Sequence, residues 1–379
     1  MKEKKGKINF FYISMTLACL GISSAFVPVY SNSYLFVLAI FLIIPLLVHG
    51  CVSSKGILLK QDVILILFVI SAVAPIIFKL IYYKALMLSG PIVIISCFLL
   101  LLVPLLYRDY SFSFFAYFLI NAVGIILLSI GIFIYSNTTW GVVAIGGVNP
   151  QTIGSWAMIY VFGAMLSLDH YIHKFKYKFI PRILEMLVIG LMLYFAWITD
   201  AKFALVTVVA ALIVRCLPIL RFFDSKIFRL LAAFSPTFFL AVLVLQYKLS
   251  GKALLNGRER IWVDCLRDVI MSPIFGVGYN AIDANSFYSH NMIVDQLTLA
   301  GVPVTLLFQV CLSYVFIRKV PYFSLQSSSR VKYNAFVSFL LVLVASTVEG
   351  CFFGVGAGGL FLFSFAPLFI AVSDGPLES

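Results

Sequence analysis

Runs of apolar residues too long for the interior of a water-soluble domain restrict the fold of this chain more than any other feature. "VILILFVISAVAPIIF" at 63–78 and "YNAFVSFLLVLVASTV" at 333–348 are two of them. Segments of this kind are read as membrane-crossing helices, because the hydrocarbon core is about 30 Å thick. The alternating ten-residue pieces of an outer-membrane barrel are missing. Of the 379 residues, 63% are hydrophobic and 11% charged, too little charge to cover a water-facing surface. The expected fold is an all-α integral membrane protein, with residues 1–379 forming one polytopic domain.

Candidate spans lie near 8–27, 34–50, 62–81, 85–106, 112–135, 153–169, 183–199, 203–217, 227–246, 293–317, 333–348 and 357–372. About twelve transmembrane helices place both termini on one side. The basic opening "MKEKKGK" assigns that side to the cytoplasm, because cytoplasmic loops carry an excess of Lys and Arg. Nineteen of the 27 basic residues then fall on the cytoplasmic side. The outward eight are Lys79, Lys84, Lys202, Lys248, Lys252, Arg258, Arg260 and Arg267. The net charge of +12 is therefore a topology signal, and nucleic acid is not an expected partner. A cleaved signal peptide is the competing reading of the first span, but no clean small-residue cleavage site follows it. The seven cysteines show no zinc-like spacing and read as small hydrophobes, so no metal site is expected.

Two outward loops are long, one over 136–152 and the main one over 246–291. The second holds five of the eight outward basic residues, which suggests an anionic ligand or, more plainly, a salt-bridged surface helix. Helical spacing over 258–270 gathers Trp262, Cys265, Leu266 and Val269 on one face. Arg260, Asp264 and Arg267 fall on the opposite face, where charge pairs contribute little. Arg258 lies one turn before Trp262, on the membrane-facing side, where a cation needs a partner. Pro273 ends this helix near Met271. Gly276 and Gly278 follow, as a turn or a close backbone approach to phosphate.

Of four histidines, only His290 maps outward, beginning a helical pattern with Ile293, Val294 and Leu297 on its face. The macrodipole at a helix N-terminus favours a neutral imidazole over an imidazolium. A structural histidine bonded to a loop carbonyl is the other reading. Asp200 and Lys202 lie between two spans, either as an interfacial pair or with Lys202 neutralised by an anionic ligand near bilayer depth.

"GRERIWVDCLRDVIMSPIFGVGYN", followed by "SHNMIVDQLTLAGVPVTLLF", resembles the signature of the O-antigen ligase and polymerase superfamily. That signature has an Arg four residues before a Trp, then Pro and Gly-x-Gly, then His-Asn opening a helix, with a Gly about ten residues later. The matching positions are Arg258, Trp262, Pro273, Gly276, Gly278, His290, Asn291 and Gly301. "TDAKFAL" is similar to the family's Thr-x-Ser-Arg-Gly-Ala segment, with Lys202 where Arg is usual, which keeps charge but loses bidentate geometry. "GGVNPQTIG", containing Asn149, is similar to its Asn-Pro-Asn stretch. The tight match covers about 50 residues.

The resemblance implies a GT-C-like, metal-independent glycosyltransferase of the bacterial inner membrane, without cofactors, whose periplasmic loop carries short interfacial helices. Its donor would be an undecaprenyl-diphosphate-linked oligosaccharide, and a chain-length regulator and a flippase would be its partners. Arg258 and Lys202 would neutralise the diphosphate, and His290 would orient or deprotonate an acceptor hydroxyl. Arg260, Arg267, Asn149, Asp200, Asn291, Gly276 and Gly278 would contact substrate. Asp200, Asp283 and Glu349 also map outward, but no glycosidase-like carboxylate pair is visible. Compact length and a modest periplasmic loop favour an O-antigen polymerase over a ligase that transfers the glycan to lipid A-core. A polysaccharide transporter or flippase would instead predict mid-membrane charges and inverted repeats.

Overall fold

The computed structural model describes residues 63–74 apart from 69 and 73, 110–139, 142–145, 150–172, 175–216, 225–277, 289–320 and 327–348. The expected spans at 8–27, 34–50, 85–106 and 357–372, and part of that at 62–81, lie outside them. The described chain is mostly helical. Its elements are α1 (Tyr110–Tyr135), β1 (Ser136–Thr139), β2 (Val142–Ile145), α2 (Pro150–Tyr171), α3 (Phe179–Ile198) and α4 (Lys202–Cys216). After these come α5 (Lys226–Ser250), α6 (Arg258–Met271), α7 (Met292–Tyr314) and α8 (Ser327–Ala345). A π turn over Val315–Lys319 prolongs α7.

Four of these are long and apolar enough to cross a membrane: α2, α3, α5 and α7 with its π turn. Shorter apolar helical stretches run over Val63–Ala72, Asn121–Tyr135, Lys202–Val214 and Val331–Ala345. Burial separates centre from periphery. Every residue of α2 from Ile153 to Asp169 is buried. By contrast α3 and α5 leave Met186, Trp197, Ile227 and Phe238 at least 70% exposed. A water-facing surface does not carry so much large apolar area, whereas hydrocarbon covers it without cost. The chain is a helical membrane protein by the length and apolarity of its helices.

The structure adds one feature to the expected all-α fold, in the outward loop expected over 136–152. The segment expected as the first outward loop contains a two-stranded antiparallel hairpin, with Ser136 opposite Ile145 and Thr139 opposite Val142. Ala144 and Ile145 are buried, and β2 packs on α1 and α2. The helix α2 begins at Pro150 rather than 153, a residue pre-organised for the first helical position.

Three sets of contacts sort the helix ends. Gln151, at the start of α2, donates to the Asp200 carbonyl just before α4 (3.1 Å). Asp169, near the end of α2, accepts from Arg182 of α3 (3.0 Å) and from Asn334 of α8 (3.3 Å). Met292, opening α7, donates to the Ser346 carbonyl beyond α8 (3.0 Å). The starts of α2, α4 and α7 and the finish of α8 thus lie at one end of the bundle, with α6 packed on α7. The opposite end gathers the finish of α2 and the starts of α3 and α8. There too Arg229, buried near the start of α5, donates to the carbonyls of Phe316 (3.2 Å) and Val320 (2.6 Å) around the π turn.

Candidate functional site

At the α6 end, the turn into α6 is built from two left-handed residues, Asn256 and Gly257. Glu259 fastens it. Its Oε1 accepts the backbone N–H groups of Leu254 (2.6 Å) and Leu255 (2.7 Å), which the helix itself cannot satisfy. One face of α6 buries Glu259, Trp262, Cys265 and Val269, the expected apolar face plus an acid that was not expected on it. Trp262 donates its indole N–H to the Ser289 carbonyl (2.6 Å) and so ties α6 to the entry of α7. Burial, with Asp295 and Asp268 nearby, pushes the Cys265 thiol up to about 12. Arg260, Asp264 and Arg267 point away from this face and are exposed, and Arg267 sits 3.8 Å from Asp264.

A helix leaves its last carbonyls without intrahelical partners. Just beyond α8, three successive carbonyls are taken up by the predicted site segment. Ser346 accepts from the Met292 backbone N–H, Thr347 from Asn291 Nδ2 (2.8 Å), and Val348 from Arg258 Nη1. Arg258, half-buried, therefore has the partner that its position on the helix demanded, and that partner is a backbone carbonyl.

Asn291, expected as a substrate contact, has a structural task in the fold. It is fully buried, and its Oδ1 caps α7 by accepting from Ile293 (2.9 Å) and Val294 (3.1 Å) while Nδ2 holds Thr347. Every polar atom of its side chain is occupied by the fold. His290 precedes the cap and is outside the helix rather than its first residue, with φ of 56°. A non-glycine residue in this region costs about 1–2 kcal/mol. It is held there by fixed neighbours: Ser289 is buried with its Oγ on Asp295 (2.6 Å), and Asn291 is locked in the cap. The ring itself is only partly buried.

Gly276 sits in a turn, the plainer of its two readings, and makes a close packing contact. Its N–H donates to Ser272 (2.9 Å), and a Cβ added there would collide with the Thr298 carbonyl. Opposite it, Gly301 breaks α7 with φ 78° and ψ 178°, and a Cβ there would collide with the Ile274 carbonyl. The break frees one donor and one acceptor. Val302 N–H goes to the Pro273 carbonyl (2.8 Å), and the Thr298 carbonyl accepts from Val277 (2.9 Å). The strap 273–277 is thereby stitched into the kink.

The α3–α4 corner holds the other basic candidate. Asp200 takes a left-handed φ of 52°. Lys202 Nζ lies 3.4 Å from its Oδ1, with the Lys202 side chain 82% exposed. The reading as an interfacial pair is the one this geometry matches. Gly154 of α2 lies so close to Ala201 that any Cβ would overlap it, which seats the corner on the start of α2. Asn149, Gly278, Asp283 and Glu349 lie outside the described residues.

The structure thus brings His290, Arg258, Asp200 and Lys202 to one end of the bundle, with Arg260 and Arg267 on the exposed face of α6. A small crevice lies elsewhere, at the opposite end, with Asp169, Asn334 and Ser338 among its lining. Glu259, Ser289, Asp295 and Gln296 are buried polar residues of this region that the sequence reading missed. For Asp295 a signal existed: an acid inside an apolar stretch demands a named partner. Among the described residues no group of His, Cys, Asp and Glu is placed to hold a metal. No family model, curated protein or solved structure matches this chain.

Proposed function

We propose that this protein is an inner-membrane glycosyltransferase of the polymerase type. It joins undecaprenyl-diphosphate-linked repeat units of O-antigen, or of a related surface polysaccharide, at the periplasmic face. The observation that carries the reading is the gathering of His290, Arg258 and the Asp200–Lys202 corner at one bundle end, although they are far apart in the chain. The full architecture in this reading has twelve spans and a GT-C-like arrangement. Both termini are cytoplasmic, and the α6 end faces the periplasm.

The reaction is a substitution at an anomeric carbon. The acceptor hydroxyl oxygen forms the new glycosidic bond as the bond from that carbon to the diphosphate oxygen breaks, and undecaprenyl diphosphate leaves. His290 takes the hydroxyl proton. Arg258, its guanidinium fixed by the Val348 carbonyl, meets the charge growing on the leaving diphosphate without having to be ordered first. Lys202 adds a second cation from an exposed position, exchanging its Asp200 partner for phosphate.

Deleting the gene tests the reading. A polymerase predicts lipopolysaccharide capped with a single repeat unit. Bare core with lipid-linked polymer accumulating would assign the chain to the ligases instead, and an unchanged profile would refute both.

A further inference from the structure

Gln296 lies on the second turn of α7, about 8 Å along the helix axis from the Asn291 cap. It is 1% exposed, yet neither its amide oxygen nor its amide nitrogen has a hydrogen-bond partner among the described residues. Gln309, further along the same helix, shows what a structural glutamine does there. Its Nε2 donates to the Ala233 carbonyl (2.7 Å) and its Oε1 accepts from Thr237 (3.3 Å). A leucine would fill the space of Gln296 without the cost of stripping water from an amide. Among the described residues, Trp156 Nε1, Gln246 Oε1 and Glu259 Oε2 are also buried without partners. An unused donor and an unused acceptor on one buried side chain match a ligand group that offers both.

We infer that Gln296 is a specificity-determining contact for the sugar portion of the lipid-linked substrate. This deepens the reading under Proposed function and rests on it. An amide presents one acceptor and two donors, which suits hydroxyl groups of a saccharide and gives no advantage toward a diphosphate. The two parts of the substrate are then recognised separately: Arg258 and Lys202 take the diphosphate, and Gln296 takes a sugar.

The test compares wild type with Gln296→Leu and Gln296→Met, each purified as the full chain in nanodiscs. Thermal stability is measured alone, with undecaprenyl diphosphate, and with undecaprenyl-diphosphate-linked oligosaccharide extracted from cells lacking the gene. Without lipid, both variants match or exceed wild type in Tm, because a costly buried amide is gone. Undecaprenyl diphosphate stabilises all three proteins alike. The glycosylated lipid binds wild type about tenfold more tightly than either variant, a difference of one hydrogen-bonded contact. Equal affinity for the glycosylated lipid in all three overturns the inference and leaves the polymerase reading standing. A lower Tm in both variants overturns it too, since the amide would then serve the fold. Failure of wild type to bind either lipid overturns the polymerase reading itself, and this inference with it.

Discussion

Asn291 and His290 are adjacent, and they separate fold from chemistry at the scale of single residues. Replacing Asn291 with Ala removes the cap of α7 and leaves the Thr347 carbonyl without its donor. Losses of this kind cost about 1 kcal/mol for a cap and about 1–3 kcal/mol for a buried orphan. Unfolding of the purified Asn291→Ala protein in a denaturing detergent titration should show a loss near the sum. His290→Gly should behave in the opposite way. It relieves the left-handed backbone, raising stability by up to about 1 kcal/mol, while polymer formation disappears. Wild-type polymer yield in His290→Gly cells would remove the histidine from the mechanism. Cys265 makes a chemical prediction. Its thiol is held up to about 12, above an unfolded thiol near 8.5. A raised thiol is neutral in the fold, so it should resist maleimide at pH 8 until denaturant is added. By the same sign, the folded state binds more protons than the unfolded one above about pH 8.5, and this residue's contribution to stability declines as pH rises from there. The hold of Asn291 on Thr347 was not legible, because that carbonyl lies beyond α8 and no local spacing encodes the contact, whereas its capping of Ile293 and Val294 is a local pattern. The apolar face of α6 was legible, since Trp262, Cys265 and Val269 repeat at helical spacing and are buried.

At the scale of elements, α6 and α7 behave as one unit joined by the strap 273–277. Gly301→Ala must place a Cβ against the Ile274 carbonyl while keeping a φ of 78°. Overpacking costs about 1–3 kcal/mol and the left-handed backbone about 1–2 kcal/mol more. Fluorescence-detected size exclusion after heating should show a clear drop in surviving protein, and Gly276→Ala should show the same. Survival at the wild-type level in both would mean that the strap is not locked into the kink. The end of α6 at Met271 followed directly from Pro273. The kink was half-visible: Gly301 and Pro303 stand together in the sequence, but only the donor and acceptor accepted by 273–277 explain why the break is tolerated in an apolar helix. The β1–β2 hairpin was missed because "SNTT" and "VVAI" are four residues each, too short for a period-2 pattern to stand out.

At the scale of the molecule, the bundle has two chemically different ends. One carries Arg182, Asp169, Glu185 and Asn334; the other carries Arg258, His290, Asp200 and Lys202. Loop charges had sorted Arg182 onto one face and Arg258 and Lys202 onto the other before any contact was known, because positive residues favour the cytoplasmic side regardless of how the helices pack. Substituted cysteines test the orientation. In intact cells stripped of outer membrane, Lys202→Cys and Arg267→Cys should react with an impermeant maleimide, and Lys176→Cys only after permeabilisation. Labelling with the reverse pattern would put the α6 end in the cytoplasm. What the sequence could not supply was the burial pattern of the bundle. The enclosure of α2 and the exposure of α3 and α5 depend on which helices meet, and the only hint of it in the sequence is that α2 is the least apolar of the three.

The most direct test of the central claim is to incubate the purified protein with lipid-linked repeat units alone and resolve the products by length. A polymerase should give a ladder of glycan multimers with release of undecaprenyl diphosphate, and Arg258→Ala protein of normal abundance should give none. A wild-type protein that leaves the repeat units unjoined, or an Arg258→Ala protein that extends them normally, would contradict that claim.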